Sequence, residues 1–228
     1  MVYPNKSLNS DRFKHFLESL TNLEIHVLTD VEPESDYNFP YEDPYLQFWK
    51  EHMTSILNTT RNLTSLSLYS DVIAFNEWGL VSSLPSLENL TLSKFLFAYE
   101  DFGGDRKAET FCLESFILRH RKTLRHLDLI DCCIDISSEF YSWAQIFRNF
   151  EQHLDEIRFF RFHPPPFVGT ATEDDGDPDG YVWRLWNERG GRYVDFFDDY
   201  EFPDPDTGEL DRLAFDYLQR TIKQRNQG

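Results

Sequence analysis

Five short segments of the chain share one pattern of apolar residues, and this repetition limits the possible folds more than any other feature. Each segment reads Leu, two residues of any type, an apolar residue, one further residue and a second apolar residue. The five segments are Leu20/Leu23/Ile25, Leu63/Leu66/Leu68, Leu87/Leu90/Leu92, Leu124/Leu127/Leu129 and Leu154/Ile157/Phe159. Their starts lie 24 to 43 residues apart. The pattern predicts equivalent strands that are separated by insertions of variable length.

The stretches between these segments have helical periodicity. Phe13, Phe16 and Leu17 fall on one helical face, and Ser10 is placed to cap that helix. A second apolar stripe contains Trp143, Phe147 and Phe150. The stretch before Leu87 is the least clearly helical. The order of elements therefore predicts an α/β fold in which helices connect parallel strands.

Polar residues alternate with the apolar ones in the predicted strands, as in Ser65, Ser67, Asn89 and Thr91. A parallel sheet covered by helices on both faces has nearly continuous apolar strands instead. A doubly wound nucleotide-binding sheet also needs a glycine-rich turn, and no GxGxxG motif occurs here. We therefore predict an irregular α/β solenoid of about five strand-helix units with one polar sheet face.

The polar face of such a sheet is a candidate binding surface. Side chains alternate along a strand, so Leu66 and Leu68 in the core would turn Tyr69 outward. The same rule applied to the fifth segment turns Glu156, Arg158 and Phe160 outward. Exposed aromatic and charged residues on a rigid sheet are typical of binding sites. The predicted partner-binding residues are Tyr69, His126, Asp128, Arg158 and Phe160.

The charge balance restricts the classes of partner. The chain has 40 acidic and 22 basic residues and a net charge of −18. Phosphate backbones and anionic membrane surfaces repel such a chain, so we expect neither nucleic acid nor a membrane as partner. No apolar run approaches the roughly 20 residues of a membrane span, and no signal peptide is recognisable. A cytoplasmic or nuclear protein that binds another protein is expected.

Catalytic and metal-binding motifs are weak in this sequence. Residues 175–180 match the first half of a calcium loop, but Trp186 stands where the closing Glu belongs. The three cysteines, Cys112, Cys132 and Cys133, lack metal-ligand spacing and are expected to be buried thiols. We expect no cofactor, no metal and no catalytic residue. The alternative is a hydrolase or transferase whose site, containing Trp183 and Trp186, lies in the tail loops.

The tail differs from the repeats. Residues 1–162 are predicted to form the solenoid, and residues 163–228 an acidic loop, a hairpin and a capping helix of the same structural unit. Residues 181–186 and 192–197 read as the two strands of the hairpin, with Gly190 and Gly191 between them. The last helix carries apolar residues on one side, where it would cover the end of the solenoid. These residues are Leu210, Leu213, Ala214, Tyr217, Leu218 and Ile222.

Residues 84–134 resemble a known family. They contain Leu-Pro-Ser-Leu-Glu-Asn-Leu-Thr-Leu-Ser-Lys-Phe-Leu-Phe, and later Thr-Leu-Arg-His-Leu-Asp-Leu-Ile-Asp-Cys-Cys-Ile. This region is similar to the C-terminal repeats of fungal F-box proteins with leucine-rich repeats. The resemblance implies a substrate receptor of a ubiquitin ligase. Nothing in the chain matches the F-box itself, so a Skp-type adaptor is expected as partner only if an F-box precedes this sequence. A scaffold without a link to ubiquitin is the further alternative.

Overall fold

Five parallel strands form the main sheet, and they follow one another across it in sequence order. The computed structural model describes residues 10–28, 45, 47–74, 76–97, 112–135, 142–163, 182–185, 192–195 and 207–228. The strands of the main sheet are β1 (Asn22–Val27), β2 (Ser65–Ala74), β3 (Asn89–Phe95), β4 (His126–Ile130) and β6 (Phe159–His163). The prediction of a mixed α/β fold with parallel strands is confirmed.

Helical segments connect these strands. The α-helices are α1 (Asp11–Glu18), α2 (Thr54–Thr59), α3 (Leu113–Arg119), α4 (Trp143–His153) and α5 (Thr207–Arg225). Ser10 caps α1 as predicted, since its Oγ accepts the N–H of Phe13 at 3.3 Å. A π-helical segment, Phe48–Met53, leads into α2. The weakly periodic stretch before Leu87 contains only a 3₁₀ turn, Trp78–Leu80.

A second, smaller sheet combines a short strand that follows β4 in the chain with two strands of the tail. Its strands are β5 (Cys133–Asp135), β8 (Arg192–Asp195) and β7 (Val182–Leu185). Strands β7 and β8 pair antiparallel, which confirms the predicted hairpin strands, while β5 pairs parallel to β8 and was not predicted. The acidic turn at 175–180, Trp186 and the Gly190-Gly191 loop lie outside the described residues.

The core lies on one side of the main sheet. The inward residues of β2, β3 and β4 are completely buried, and they are Leu66, Leu68, Leu90, Leu92, Leu127 and Leu129. These residues pair with each other across the sheet in register, so each leucine contributes to a continuous apolar layer. Burial of such side chains contributes roughly 1.5–3 kcal/mol each, which makes this layer the main source of stability for the sheet.

One backbone arrangement recurs at the start of four strands. The carbonyl of Thr21 accepts the N–H groups of Thr64 at 2.8 Å and of Ser65 at 3.1 Å. The carbonyls of Thr64, Glu88 and Arg125 each accept two N–H groups from the following strand in the same way. The chain therefore enters β2, β3, β4 and β6 with one repeated geometry, although the insertions between the strands differ in length.

The register of β6 corrects part of the prediction. His126 pairs with Phe159 and Leu127 with Phe160, so Phe160 faces the core and is 5% exposed. Arg158 precedes the strand instead of lying on its polar face. The repeat that matches the other strands is thus Ile157-x-x-Phe160-x-Phe162. Since side chains alternate along a strand, an offset of three residues moves every predicted residue to the opposite face.

Helix α5 packs against α4 and runs beside the edge strand β6. Gln219 Nε2 donates to the carbonyl of Phe160, and Asn226 Nδ2 donates to that of Arg158, both at 2.8 Å. Arg225 donates to the carbonyls of Leu154 and Glu151, also at 2.8 Å each. These bonds satisfy carbonyl groups near the end of the sheet, where an unpaired strand edge would invite pairing with other chains.

A buried histidine connects α3 to the loop before β3. The N–H of Leu84 donates to His120 Nε2 at 2.9 Å, so this nitrogen is unprotonated. The other ring nitrogen, Nδ1, lies 2.8 Å from the carbonyl of Phe116 and therefore donates to it. Burial lowers the pKa of His120 to about 4, because the charged ring would lose its hydration. The native fold thus requires the neutral imidazole.

We expect the stability of the protein to fall as the pH is lowered from about 6.5 to about 4, in part through His120. The unfolded chain binds a proton at His120 below pH 6.5, whereas the folded chain resists protonation until about pH 4. This difference corresponds to roughly 3 kcal/mol when it is complete. Urea unfolding of wild type and His120→Gln across this range measures it. The variant should show the smaller pH dependence, and His15→Gln, at an exposed site on α1, should match the wild type.

Candidate functional site

The polar side of the main sheet, here called the open face, presents three rows of side chains. The row at the start of the strands contains Asn22, Ser65, Asn89, His126 and Phe159. The middle row contains Glu24, Ser67, Thr91, Asp128 and Arg161. The last row contains His26, Tyr69, Ser93, Ile130 and His163. The register of four strands agrees with the predicted rows, and only the residues of β6 differ.

The five predicted partner-binding residues therefore separate into two groups. Tyr69, His126 and Asp128 lie on the open face. Phe160 does not, because it packs in the core against Phe147, Phe150 and Phe215, with ring centroids 5.9 Å away in each case. Arg158 lies before β6 and is 3.6 Å from Glu156, its neighbour two residues earlier. The register error explains both differences.

Charged side chains of β4 and β6 form the centre of this surface. Arg161 donates from Nε to Asp128 Oδ1 at 3.0 Å and from Nη2 to Asp128 Oδ2, so the contact is bidentate. His163 Nε2 lies 3.8 Å from Asp128 Oδ1. The Asp128 side chain is only 4% exposed, whereas those of Arg161 and His163 are about half exposed. The hydrogen bonds from Arg161 to this carboxylate raise the pKa of Arg161.

Aromatic stacking completes the same group. The rings of His126 and Phe159 are stacked with centroids 4.3 Å apart, and the guanidinium of Arg161 lies 5.8 Å from the Phe159 centroid. Burial lowers the pKa of His126, and the charge of Arg161 lowers it further against the opposing effect of Asp128. We call His126, Asp128, Phe159, Arg161 and His163 the β4–β6 cluster. Its contacts hold large side chains in fixed positions on the open face.

A smaller group lies on the other edge of the open face. The rings of His26 and Tyr69 are stacked at 4.4 Å with an interplanar angle of 13°. Glu24 Oε1 is 2.6 Å from His26 Nε2. Large side chains thus border the open face at β1 and β2 as well as at β4 and β6.

Small polar side chains lie between these two groups. They form a polar strip across β2 and β3, which consists of Ser65, Ser67, Asn89, Thr91 and Ser93. Within the described part of the chain, the hydroxyl groups of Ser65, Ser67 and Thr91 have no hydrogen-bond partner. A bound polypeptide segment could therefore form hydrogen bonds with these groups without displacing an internal contact.

The described residues were compared with the requirements of a metal site and of a reactive thiol. Among them, no group of three or more His, Cys, Asp or Glu side chains is arranged to hold a metal. Cys112, Cys132 and Cys133 are buried free thiols, as predicted. Burial raises the pKa of Cys132, which disfavours the reactive thiolate. None of the described helices combines the length and apolar character needed to cross a bilayer.

Comparison with protein-family models, with curated proteins and with solved structures finds no match to this chain.

Three residues of the β4–β6 cluster were missed by sequence analysis: Phe159, Arg161 and His163. The signal that identifies them is the alternative repeat Ile157-x-x-Phe160-x-Phe162, which has the same spacing as the other four. Both alignments place an apolar residue at each of the three positions. Both also place an arginine between the last two apolar positions, Arg158 in the first alignment and Arg161 in the second, so the repeat pattern alone does not decide between them.

Proposed function

We propose that this chain is a protein-binding repeat module, a short irregular solenoid of the leucine-rich-repeat type that recognises another protein with its open face. In this proposal the surface acts by equilibrium binding and carries out no chemical step. The observation that carries the proposal is the β4–β6 cluster, in which an exposed aromatic ring and a bidentate ion pair are fixed by their neighbours. The polar strip of β2 and β3 lies beside this cluster.

The arrangement of the strands supports the solenoid part of the proposal. The strands follow in sequence order, four of the five start with the same pair of carbonyl-accepted N–H groups, and the apolar residues face one side. Lys94 and Asp131 add a further repeated feature. Both have a left-handed backbone conformation, with φ of 61° and 53°, and both directly follow the paired residues Ser93 and Ile130. The repetition therefore includes the backbone conformation near the ends of two neighbouring strands.

The composition of the open face supports protein recognition. Phe159 is 41% exposed although it is a large apolar residue. Aromatic and Arg side chains that are fixed by their neighbours lose little conformational entropy on binding, and such residues dominate the energetics of protein interfaces. Hydroxyl and amide groups of the adjacent polar strip would supply the hydrogen bonds that fix the orientation of a partner.

The resemblance to F-box proteins gives a narrower form of the proposal. In that form the partner of the open face is a protein to be ubiquitinated, and contact with the ligase requires a Skp-type adaptor. Binding of the adaptor and binding at the open face would use different parts of the protein, so the two can be tested separately in one experiment.

Affinity capture with a charged substitution on the open face tests the proposal. We expect Phe159→Asp to reduce the capture of specific partners about tenfold or more, because the substitution removes an exposed aromatic side chain and places a charge beside His126 and Arg161 on the open face. Partners are captured from cell extract and quantified by mass spectrometry, and binding of each is repeated with the purified protein. The intensity of a Skp-type adaptor in the same samples reports on the ligase-linked form of the proposal.

Phe16→Asp is the matched control, since Phe16 is also an exposed aromatic residue but lies on α1. It should retain the partners that Phe159→Asp loses. In the purified complex, backbone amide hydrogen exchange should be slower in β4 and β6 than in the free protein. Equal loss of partners in both variants, or protection confined to the helices, would contradict the proposal.

A further inference from the structure

A basic cleft lies away from the open face, where the end of α3 meets the loop before β3. Its volume is about 700 Å³. Its apolar lining consists of Leu84, Pro85 and Leu118, and the other lining residues are ionisable or carry hydroxyl groups. The residues that line the cleft include Ser83, Ser115, Arg119, Arg121, Lys122 and Thr123, and no carboxylate is among them.

Of the four ionisable residues in the cleft, Arg119 and the neutral His120 are structural, and Arg121 and Lys122 are free within the described part of the chain. Arg119 donates from Nη1 to the carbonyl of Val81 at 2.6 Å and from Nη2 to that of Trp78, so it holds the preceding loop in place. The neutral His120 binds the N–H of Leu84. By contrast, the side chains of Arg121 and Lys122 are exposed and have no hydrogen-bond or ion-pair partner within the described part of the chain.

Basic residues are concentrated around the cleft, although the chain has 40 acidic residues. Residues 115–127 contain four of the 22 basic residues and no acidic residue. At physiological ionic strength, charges beyond about 8 Å are largely screened. A ligand in the cleft would therefore interact mainly with Arg121 and Lys122, and much less with the overall negative charge of the protein.

We propose that this cleft binds an acidic peptide segment of a partner protein, in addition to the binding at the open face. Carboxylate groups of the segment bind Arg121 and Lys122, and apolar side chains of the segment contact the apolar lining residues Leu84, Pro85 and Leu118. The volume exceeds that of a single carboxylate or phosphate group and suits several residues of an extended peptide. The hydroxyl groups of Ser83 and Ser115 provide additional donors at the rim.

Fluorescence anisotropy with a fluorescein-labelled, Glu-rich peptide that has two central Leu residues tests this proposal. The full-length protein should bind this peptide, and a peptide with Gln in place of every Glu should bind at least about tenfold more weakly. The double variant Arg121→Glu/Lys122→Glu should also weaken binding of the Glu-rich peptide about tenfold or more. Binding should weaken as salt is added, because the attraction is electrostatic.

The double variant Arg12→Glu/Lys14→Glu is the matched control. It makes the same change in net charge at two exposed residues of α1, which have no side-chain partner among the described residues. The control should change the affinity less than about twofold, and thermal unfolding should verify that both variants are folded. Equal weakening in the two variants, equal binding of the Gln peptide or no binding to wild type would overturn the proposal. Phe159→Asp should leave this binding intact, so its outcome is distinguishable from a test of the open face.

Discussion

Replacing Phe160 with Ala is expected to lower the free energy of unfolding by about 3–5 kcal/mol. The side chain is 5% exposed and contacts the rings of Phe147 and Phe150 of α4 and Phe215 of α5. Its removal leaves a cavity where these two helices meet β6. The aromatic contacts add to the loss, since pairs with centroids near 6 Å contribute beyond the buried area. Urea unfolding at neutral pH measures the change.

Phe159 provides a control that differs by a single position in sequence. Phe159 lies on the open face and is 41% exposed, so Phe159→Ala should reduce the stability by about 1 kcal/mol or less. The two variants remove the same atoms from neighbouring residues of one strand. A similar loss in both variants, or a larger loss for Phe159, would contradict the register of β6 and with it the composition of the β4–β6 cluster.

The register of four strands could be predicted because the leucine pattern has a single alignment there. In the fourth segment, for example, Leu124, Leu127 and Leu129 are all completely buried, as the pattern requires. The last strand allows two alignments, since both Leu154 and Ile157 are buried apolar residues. Leu154 is buried as the residue that ends α4, which is a helical role that local spacing does not reveal.

Pairing between distant segments could not be predicted from periodicity. Strand β5 has only three residues, and two of them, Cys133 and Ile134, are buried. Such a short segment has no recognisable alternation, and its partner β8 lies about 60 residues later in the chain. Local patterns predicted the hairpin strands themselves. They did not predict which earlier strand the hairpin would join.

The residues of the candidate site were also predicted only in part. His126, Asp128 and Tyr69 followed from the alternation in well-aligned strands. The ion-pair partner of Asp128 is Arg161 and not Arg158, because an ion pair across neighbouring strands depends on their register. Asp128 is also more buried than an open-face position suggests. Its neighbours Arg161 and His163 cover it, and that coverage is a property of the assembled sheet.

The C-terminal helix shows why an apolar pattern alone can misplace a helix face. Ala214, Leu218 and Ile222 are buried as predicted, but Leu210, Leu213 and Tyr217 are exposed. The buried face continues with Asp211, which is completely buried. An acidic residue in an acidic tail predicts a solvated position, and only the contacts in the folded chain explain its burial.

Asp211 joins α5 to the start of α4 and to β8. Its Oδ1 accepts the N–H of Ala144 at 2.7 Å, and its Oδ2 accepts the hydroxyl of Tyr193 at 2.8 Å. The Tyr193 oxygen in turn accepts the N–H of Trp143 at 3.0 Å. Two of the N–H groups that begin α4 are therefore satisfied by other parts of the chain. The negative charge also lies at the positive end of the α4 dipole.

We expect Asp211→Ala to reduce the free energy of unfolding by about 3 kcal/mol, because it removes two charge-assisted hydrogen bonds and leaves the N–H of Ala144 buried without this partner. Glu209→Gln, on the same helix but exposed, removes the same charge and should change the stability by less than about 0.5 kcal/mol. Urea unfolding followed by tryptophan fluorescence measures both.

A double-mutant cycle that combines Asp211→Ala with Tyr193→Phe tests whether the contacts of these two residues are coupled or independent. If Tyr193 and Asp211 act together, the loss in the double variant should fall short of the sum of the two single losses by about 1 kcal/mol or more. The burial that raises the pKa of Tyr193 keeps its hydroxyl protonated and able to donate to Asp211. Additive losses would mean that α4 is capped by two unrelated contacts.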